Sequence, residues 1–247
     1  MGAERAASSA EPRAPQRTGP ARAGGESRNR RGMAKREVIA TAATAVFLRD
    51  GYVAASMDEV AAVAGVSKQT VYKHFGSKEQ LFLAVIHQAI NGVLDEFFAV
   101  LATSFPRSDD LEGDLARLGR ILLTRILDPQ LMAIRRLVIA EVGRFPQLGR
   151  AWYESGPAAL ATALAESLRH LAERGQLVID DPVAAASDFN WLVVSKPQNM
   201  VLFGVADSLT TAEIEQFVTS AVRVFLAAYR PPEHHHTTPA PRSHGSP

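Results

Sequence analysis

Residues 56–81, SMDEVAAVAGVSKQTVYKHFGSKEQL, contain two short helical segments joined at a glycine and followed by the start of a longer helix. Ser56 stands as an N-cap with Glu59 three residues on, the spacing of a capping box, and Met57, Val60, Ala61 and Ala64 recur at helical spacing behind it. Gly65 supplies a residue that can take the left-handed conformation closing a helix, Val66 drops an apolar side chain under the turn, and Ser67 caps the next helix. Ala61, Gly65 and Val71 let two helices cross closely. With Val71 and Phe75 turned inward, the opposite face carries Lys68, Gln69, Thr70, Tyr72, Lys73 and His74. Hydroxyl, amide, cationic and aromatic groups on one face suit phosphate contacts and base-edge readout in a major groove. The stretch therefore reads as a helix-turn-helix that binds DNA. The plainer alternative, a helical hairpin with a solvated polar face, gives no use for Tyr72 and His74 beside two lysines.

Residues 34–82 resemble the DNA-binding domain of the TetR family of one-component transcriptional regulators. The resemblance runs through the leading helix AKREVIATAATAVFLRDGYVAAS, the segment AGVSKQTVYKHF and the entry GSKEQLF into a fourth helix; Gln69 stands where many members carry glycine. It implies that Ser56, Thr70, Tyr72 and Lys78 hold the DNA backbone, that Lys68, Gln69, Lys73 and His74 lie nearest the bases, and that Ser67 sits at the same surface. Residues 129–157, PQLMAIRRLVIAEVGRFPQLGRAWYESGP, are similar to the C-terminal domain of the TetR-type subgroup related to the AefR regulator. That second resemblance implies a helical regulatory body; it does not carry an inducer over.

Composition sets the outer limits. A chain of 247 residues with 47% apolar residues can bury a core and divides most naturally into two unequal domains. There is no cysteine, hence no disulfide framework, thiolate nucleophile or cysteine metal site. Apolar stretches such as the one beginning at Phe97 are broken by polar residues, and no apolar core follows the basic N-terminus, so the chain is expected to be soluble, cytoplasmic and without a membrane partner. The net charge of +1 hides an asymmetry. Residues 1–36 hold nine Lys/Arg against three Asp/Glu, a balance of +6 that leaves −5 for the remainder.

The domain division follows. Residues 1–33, rich in Arg, Pro, Gly and Ala, are expected to form a disordered basic arm, either adding salt-dependent DNA contacts or acting as a solubilising extension. Residues 34–80 form the helix-turn-helix domain, 81–230 a helical ligand-binding and dimerisation domain, and 231–247 a disordered tail. His234, His235 and His236 on that tail lack a fixed geometry, so neither a metal nor another cofactor is expected.

Between the tails the apolar residues repeat with helical period, and no convincing strand alternation occurs, so the fold is expected to be all-α: an N-terminal three-helix DNA-binding domain plus a larger C-terminal helical domain. The first helix is placed at about 34–50 on Ile39, Ala42, Ala43, Val46 and Phe47, with Gly51 ending it. Ser77 caps a fourth helix whose stripe from Leu81 to Phe98 is too long for the small head alone. Further helices are expected at 111–127, 129–143, 146–174, 182–204 and 211–229, with Asp128-Pro129 and Asp181-Pro182 as N-cap and first-turn pairs and Gly175 and Gly204 as C-terminal closures. Gly156-Pro157 and Pro197 should each break or kink a helix.

The last two helices carry Phe189, Trp191, Leu192, Val193, Met200, Val201, Leu202 and Phe203, then Ile214, Phe217, Val218, Ala221, Val224, Phe225 and Ala228. That surplus predicts a homodimer through 182–204 and 211–229, setting two recognition helices on the half-sites of a palindromic double-stranded operator. Met132, Arg135, Arg136, Phe145, Trp152, Tyr153, Trp191, Asn199 and Phe203 are candidates to line a cavity for a small apolar or amphipathic effector, with packing as the alternative for each and Glu141 or Glu154 as ion-pair partners for the arginines. A ligand-responsive dimeric repressor and a regulator of the same fold without ligand input both fit. An enzyme built on His87 or His170 does not, since neither lies near a nucleophile motif, a phosphate-binding glycine loop or a second metal ligand.

Overall fold

The computed structural model describes residues 23–103, 105 and 109–232, all helical or connecting segments with no strand among them. The chain divides between Val38 and Ile39 into two units, and the fold lies in the second. Residues 1–22 of the expected basic arm, and the tail from 233 with His234, His235 and His236, fall outside the described residues.

Three helices build the head. Helix α1 (Ala23–Ala54) contains a break at Gly51, whose φ of 78° and ψ of 167° lie off the helical basin. The expected stop at Gly51 is therefore present, and one short turn follows it. The start is earlier than the expected residue 34: adding residues to a formed helix costs little beyond its nucleus, so the arm is helical from Ala23 instead of disordered to residue 33. Helix α2 (Met57–Ala64) begins where Ser56 Oγ accepts from the Glu59 N–H and ends at Gly65, φ 65°. Helix α3 (Lys68–Phe75) begins with Ser67 Oγ accepting from the Thr70 N–H. Ile39, Ala43, Phe47, Val60, Val71 and Phe75 are buried together between the three helices. The reciprocal half of the expected capping box is absent, because the Glu59 carboxylate accepts from Arg49 across the helices and leaves the Ser56 N–H.

Helix α4 (Lys78–Thr103) serves both parts of the fold. Leu81, Phe82, Val85 and Ile86 are buried in its first half, and Ile90, Val93, Phe97 and Val100 continue the stripe. By length and composition this helix is apolar enough to cross a bilayer, although polar residues interrupt it, and its apolar stripe is core.

The body follows as α5 (Leu111–Ile126), α6 (Pro129–Glu141), α7 (Pro146–Tyr153), α8 (Ala159–Glu173), α9 (Pro182–Leu202) and α10 (Thr211–Tyr229). Asp128 and Asp181 each accept from two first-turn N–H groups ahead of a proline, as expected. The long expected helix at 146–174 is three segments: a π-helical turn at Glu154–Ala158, containing Pro157, separates α7 from α8. The reason is the missing proline N–H, which a wider turn accommodates. Helix α9 runs unbroken through Pro197.

Phe189, Val193, Val218, Ala221 and Phe225, counted in the sequence as surplus apolar surface, are instead fully inside the protomer. Phe189 and Phe225 meet edge to face at 5.4 Å, and a Cβ on Gly119 of α5 would stand 3.1 Å from Val218 and 3.4 Å from Val193. A glycine there lets α5, α9 and α10 cross closely. What these last helices leave outside is narrower: Trp191, Leu192, Phe203, Val205 and Val224.

Candidate nucleic-acid interface and effector cavity

The exposed side of α3 carries Lys68, Gln69, Tyr72 and Lys73, while Thr70 and His74 are half-buried at its flanks. Val71 and Phe75 fix the rotation of the helix by packing inward. Lys68 Nζ lies 2.8 Å from Asp58 Oδ1 of α2 and 5.9 Å from the Tyr72 ring centre. Its hydrogen bond to Asp58 raises the Lys68 pKa, and the pair ties the two short helices at their solvent side. Any base contact by Lys68 competes with that exposed pair, which is weak. The Ser67 and Thr70 hydroxyls share a hydrogen bond of 2.8 Å at the start of α3, and Ser56 caps α2, so hydroxyls and helix N-termini stand beside the cationic face. Lys68, Gln69, Thr70, Tyr72, Lys73 and His74 thus lie on the outer side of α3, with Ser67 at its start and Ser56 at the start of α2; Lys78, at the start of α4, is held differently.

The exception is Lys78. Its Nζ donates to the carbonyls of Val53 at 2.9 Å and Ala55 at 3.1 Å and lies 4.9 Å from the Tyr52 ring centre, and burial lowers its pKa. Two of the three ammonium donors are thus committed to the carbonyls that follow the Gly51 break. Its first role in the structure is to tie the start of α4 to the end of α1.

The body holds a partly open apolar cavity with free room of about 40 Å³. Ile90, Val93 and Leu94 come from α4, Leu131, Met132 and Arg135 from α6, Trp152 from α7, Leu160 from α8, and Asn190, Trp191, Val194 and Gln198 from α9. Ile126 of α5 and Gly156 and Pro157 of the π turn complete the wall. Asn190 and Gln198 are each 4% exposed, and Asn190 Oδ1 accepts no hydrogen bond. The Arg135 guanidinium lies 5.9 Å from the Trp152 ring centre, and burial lowers its pKa.

Of the sequence-selected effector residues, Met132, Arg135, Trp152 and Trp191 line this cavity. Phe145 does not; its ring packs on Tyr52 with centroids 4.9 Å apart. Tyr153 is 55% exposed, and Asn199 is exposed with its Nδ2 donating to the Ser195 carbonyl at 2.8 Å. Phe203 points outward, and Arg136 donates to the Val201 carbonyl at 2.6 Å, so neither arginine takes the expected glutamate partner. The cavity's polar residues are instead Asn190 and Gln198, eight positions apart on the face of α9 that also bears Val194. That spacing was available in the sequence; Asn199 lies one residue, and about 100°, off the face.

Comparison with known proteins agrees with this geometry. The family model described as bacterial regulatory proteins, tetR family, matches residues 39–85, and the model of the AefR-like transcriptional repressor C-terminal domain matches residues 113–231. The chain is 30% identical over 194 residues to the HTH-type transcriptional repressor SCO4008 of Streptomyces coelicolor, covering 75% of this chain and 92% of that protein. It is 41% identical over 70 residues to the HTH-type transcriptional activator FasR of Mycolicibacterium smegmatis, a match that spans 28% of this chain and only 32% of FasR. Among solved structures, one described as a TetR-family regulator from Mesorhizobium loti superposes with a TM-score of 0.75 at 38% identity, over 81% of this chain and 99% of that one. The flavonoid-responsive regulator FrrA superposes with a TM-score of 0.69 at 34% identity, over 81% and 98%.

Proposed function

The chain belongs to the tetR family of bacterial regulatory proteins and is a helix-turn-helix transcriptional regulator, and from that premise we propose that it is a homodimeric repressor released from a palindromic operator by a small ligand. One observation carries the proposal: α4 packs Leu81, Phe82, Val85 and Ile86 into the core at its head end and, two turns on, lines the cavity with Ile90, Val93 and Leu94. A molecule wedged against the second set displaces a rigid element anchored in the first. Each head then moves relative to its mate, and a ligand that favours the displaced arrangement weakens DNA binding by that difference in affinity.

The dimer uses the outward residues of α9 and α10, with Leu192 and Val224 on the helices and Phe203 and Val205 at the edge, in the connection between them. A two-fold axis there pairs the recognition helices on two half-sites. In this reading Lys68, Gln69, Lys73 and His74 approach the bases, and Ser56, Ser67, Thr70 and Tyr72 the phosphates, with Lys78 holding the helix ends behind them. Repression is favoured over activation by the match to SCO4008 along most of both chains, whereas the activator FasR matches over a short stretch. Responsiveness to a small molecule is supported by the likeness to FrrA, whose name records such a response. The protein acts in the cytoplasm, where its DNA is.

The test is sedimentation of the protein alone and with an operator duplex obtained by selection from genomic DNA. Two protomers per palindromic site support the proposal; one protomer per half-site with no protein dimer overturns it.

A further inference from the structure

The cavity contains an imbalance that packing does not explain. Asn190 Oδ1 is buried, accepts nothing, and belongs to a residue that lines an otherwise apolar wall. A buried acceptor left unpaired costs free energy, and a leucine of similar volume would fill the position without that cost. Arg135, which also lines the cavity, has its guanidinium 5.9 Å from the Trp152 ring centre, and among the described residues no carboxylate pairs with it. One unpaired acceptor and one strong donor therefore belong to residues that line the same apolar space. The same wall includes Trp152 and Trp191, whose rings suit an aromatic molecule.

We propose that the cavity takes an aromatic, largely apolar molecule carrying a hydroxyl, which donates to Asn190 Oδ1, and a carbonyl or carboxylate oxygen, which accepts from Arg135. A hydrocarbon of the same shape leaves both protein groups unsatisfied, and an amine meets the guanidinium with repulsion. This deepens the proposed function by naming the chemistry of its effector, and it rests on that reading only in treating the cavity as an input.

The probes are 4-hydroxybenzophenone, with both groups, benzophenone, without the hydroxyl, and 4-benzylphenol, without the carbonyl. They are titrated calorimetrically into full-length protein without DNA. The protein's two tryptophans both line the cavity, so their fluorescence, corrected for probe absorption, reports whether binding occurs there. The proposal expects 4-hydroxybenzophenone to bind about tenfold more tightly than either analogue, the worth of one hydrogen bond. Asn190→Leu should abolish the advantage over benzophenone alone, and Arg135→Met the advantage over 4-benzylphenol alone. Asn190→Leu breaks no hydrogen bond at Oδ1, and an unchanged or raised melting temperature certifies its fold. Equal affinities for the three probes, a hydroxyl preference that survives Asn190→Leu, or binding without tryptophan quenching would each overturn the proposal. A separate operator-release measurement distinguishes the two levels: discrimination between probes without release removes the ligand-released repressor and leaves the cavity chemistry standing.

Discussion

The rings of Tyr52 and Phe145 meet edge to face with centroids 4.9 Å apart, joining the end of the first head helix to the residue that precedes α7 of the body. Tyr52 also packs on Phe82 at 5.0 Å and lies under Lys78 Nζ, so one aromatic cluster binds α1, α4 and the α6–α7 connection. Helix α7 carries Trp152 into the cavity, which makes this cluster the second physical link, after α4 itself, between cavity and head.

The pair should be energetically coupled. A double-mutant cycle with Tyr52→Leu and Phe145→Leu is expected to give a coupling of about 1 kcal/mol in urea unfolding, the usual worth of an edge-to-face pair beyond its buried area. Phe145→Leu should also blunt ligand-induced operator release while leaving ligand affinity nearly unchanged. Additive single mutants would show that the contact is incidental.

The DNA face makes two separable predictions. Tyr72 is 43% exposed and takes no part in the head core, so Tyr72→Ala should weaken operator binding roughly tenfold without altering the oligomeric state. Lys73→Ala, which removes a cation placed nearest the bases, should cost about 1–3 kcal/mol of operator affinity and relax the preference at one base position, read with operator variants. Unchanged affinity across salt concentrations for both variants contradicts the assignment of this face.

The turn of the motif rests on backbone geometry. A Cβ on Gly65 meets nothing within 4 Å, yet its φ of 65° is left-handed. Gly65→Ala should therefore destabilise the protein by about 1–2 kcal/mol through conformation alone, and Gly65→Asn by less. Chemical denaturation checks the order; equal stabilities would mean that the turn relaxes.

The head was legible because its signals are local. Ser56, Gly65, Ser67 and Gly76 cap or close helices within a few residues of the apolar positions that they bracket, so the boundaries of α2 and α3 follow from spacing. The body's helix ends were legible for the same reason at Asp128-Pro129 and Asp181-Pro182. The cavity was only half legible. Arg135, Trp152 and Trp191 attract notice by type, but whether Phe145 or Asn190 lines the cavity depends on how seven separate segments turn against each other. Long-range packing, not helix period, decided that Phe145 sits on Tyr52 and that Phe189 and Phe225 are spent inside the protomer. Lys78 was legible only in part: a cation near the DNA face in sequence also donates to two carbonyls of its own chain, a tie that spacing does not show.

The proposed dimer surface is tested at its edge. Phe203 and Val205 are 76% and 74% exposed between α9 and α10. Phe203→Asp combined with Val205→Asp should leave the protomer folded and raise the dimer dissociation constant at least tenfold, because burying either carboxylate at an apolar interface is costly. Sedimentation equilibrium reads the shift, and an unchanged constant would move the interface elsewhere.

Selection of sheared genomic DNA by the purified full-length protein at moderate salt, with sequencing of the retained fragments, tests the central claim most directly. The account predicts strong enrichment of one or a few palindromic sites, lost in Tyr72→Ala. Uniform, salt-labile retention of fragments with no shared site would contradict a sequence-specific dimeric regulator.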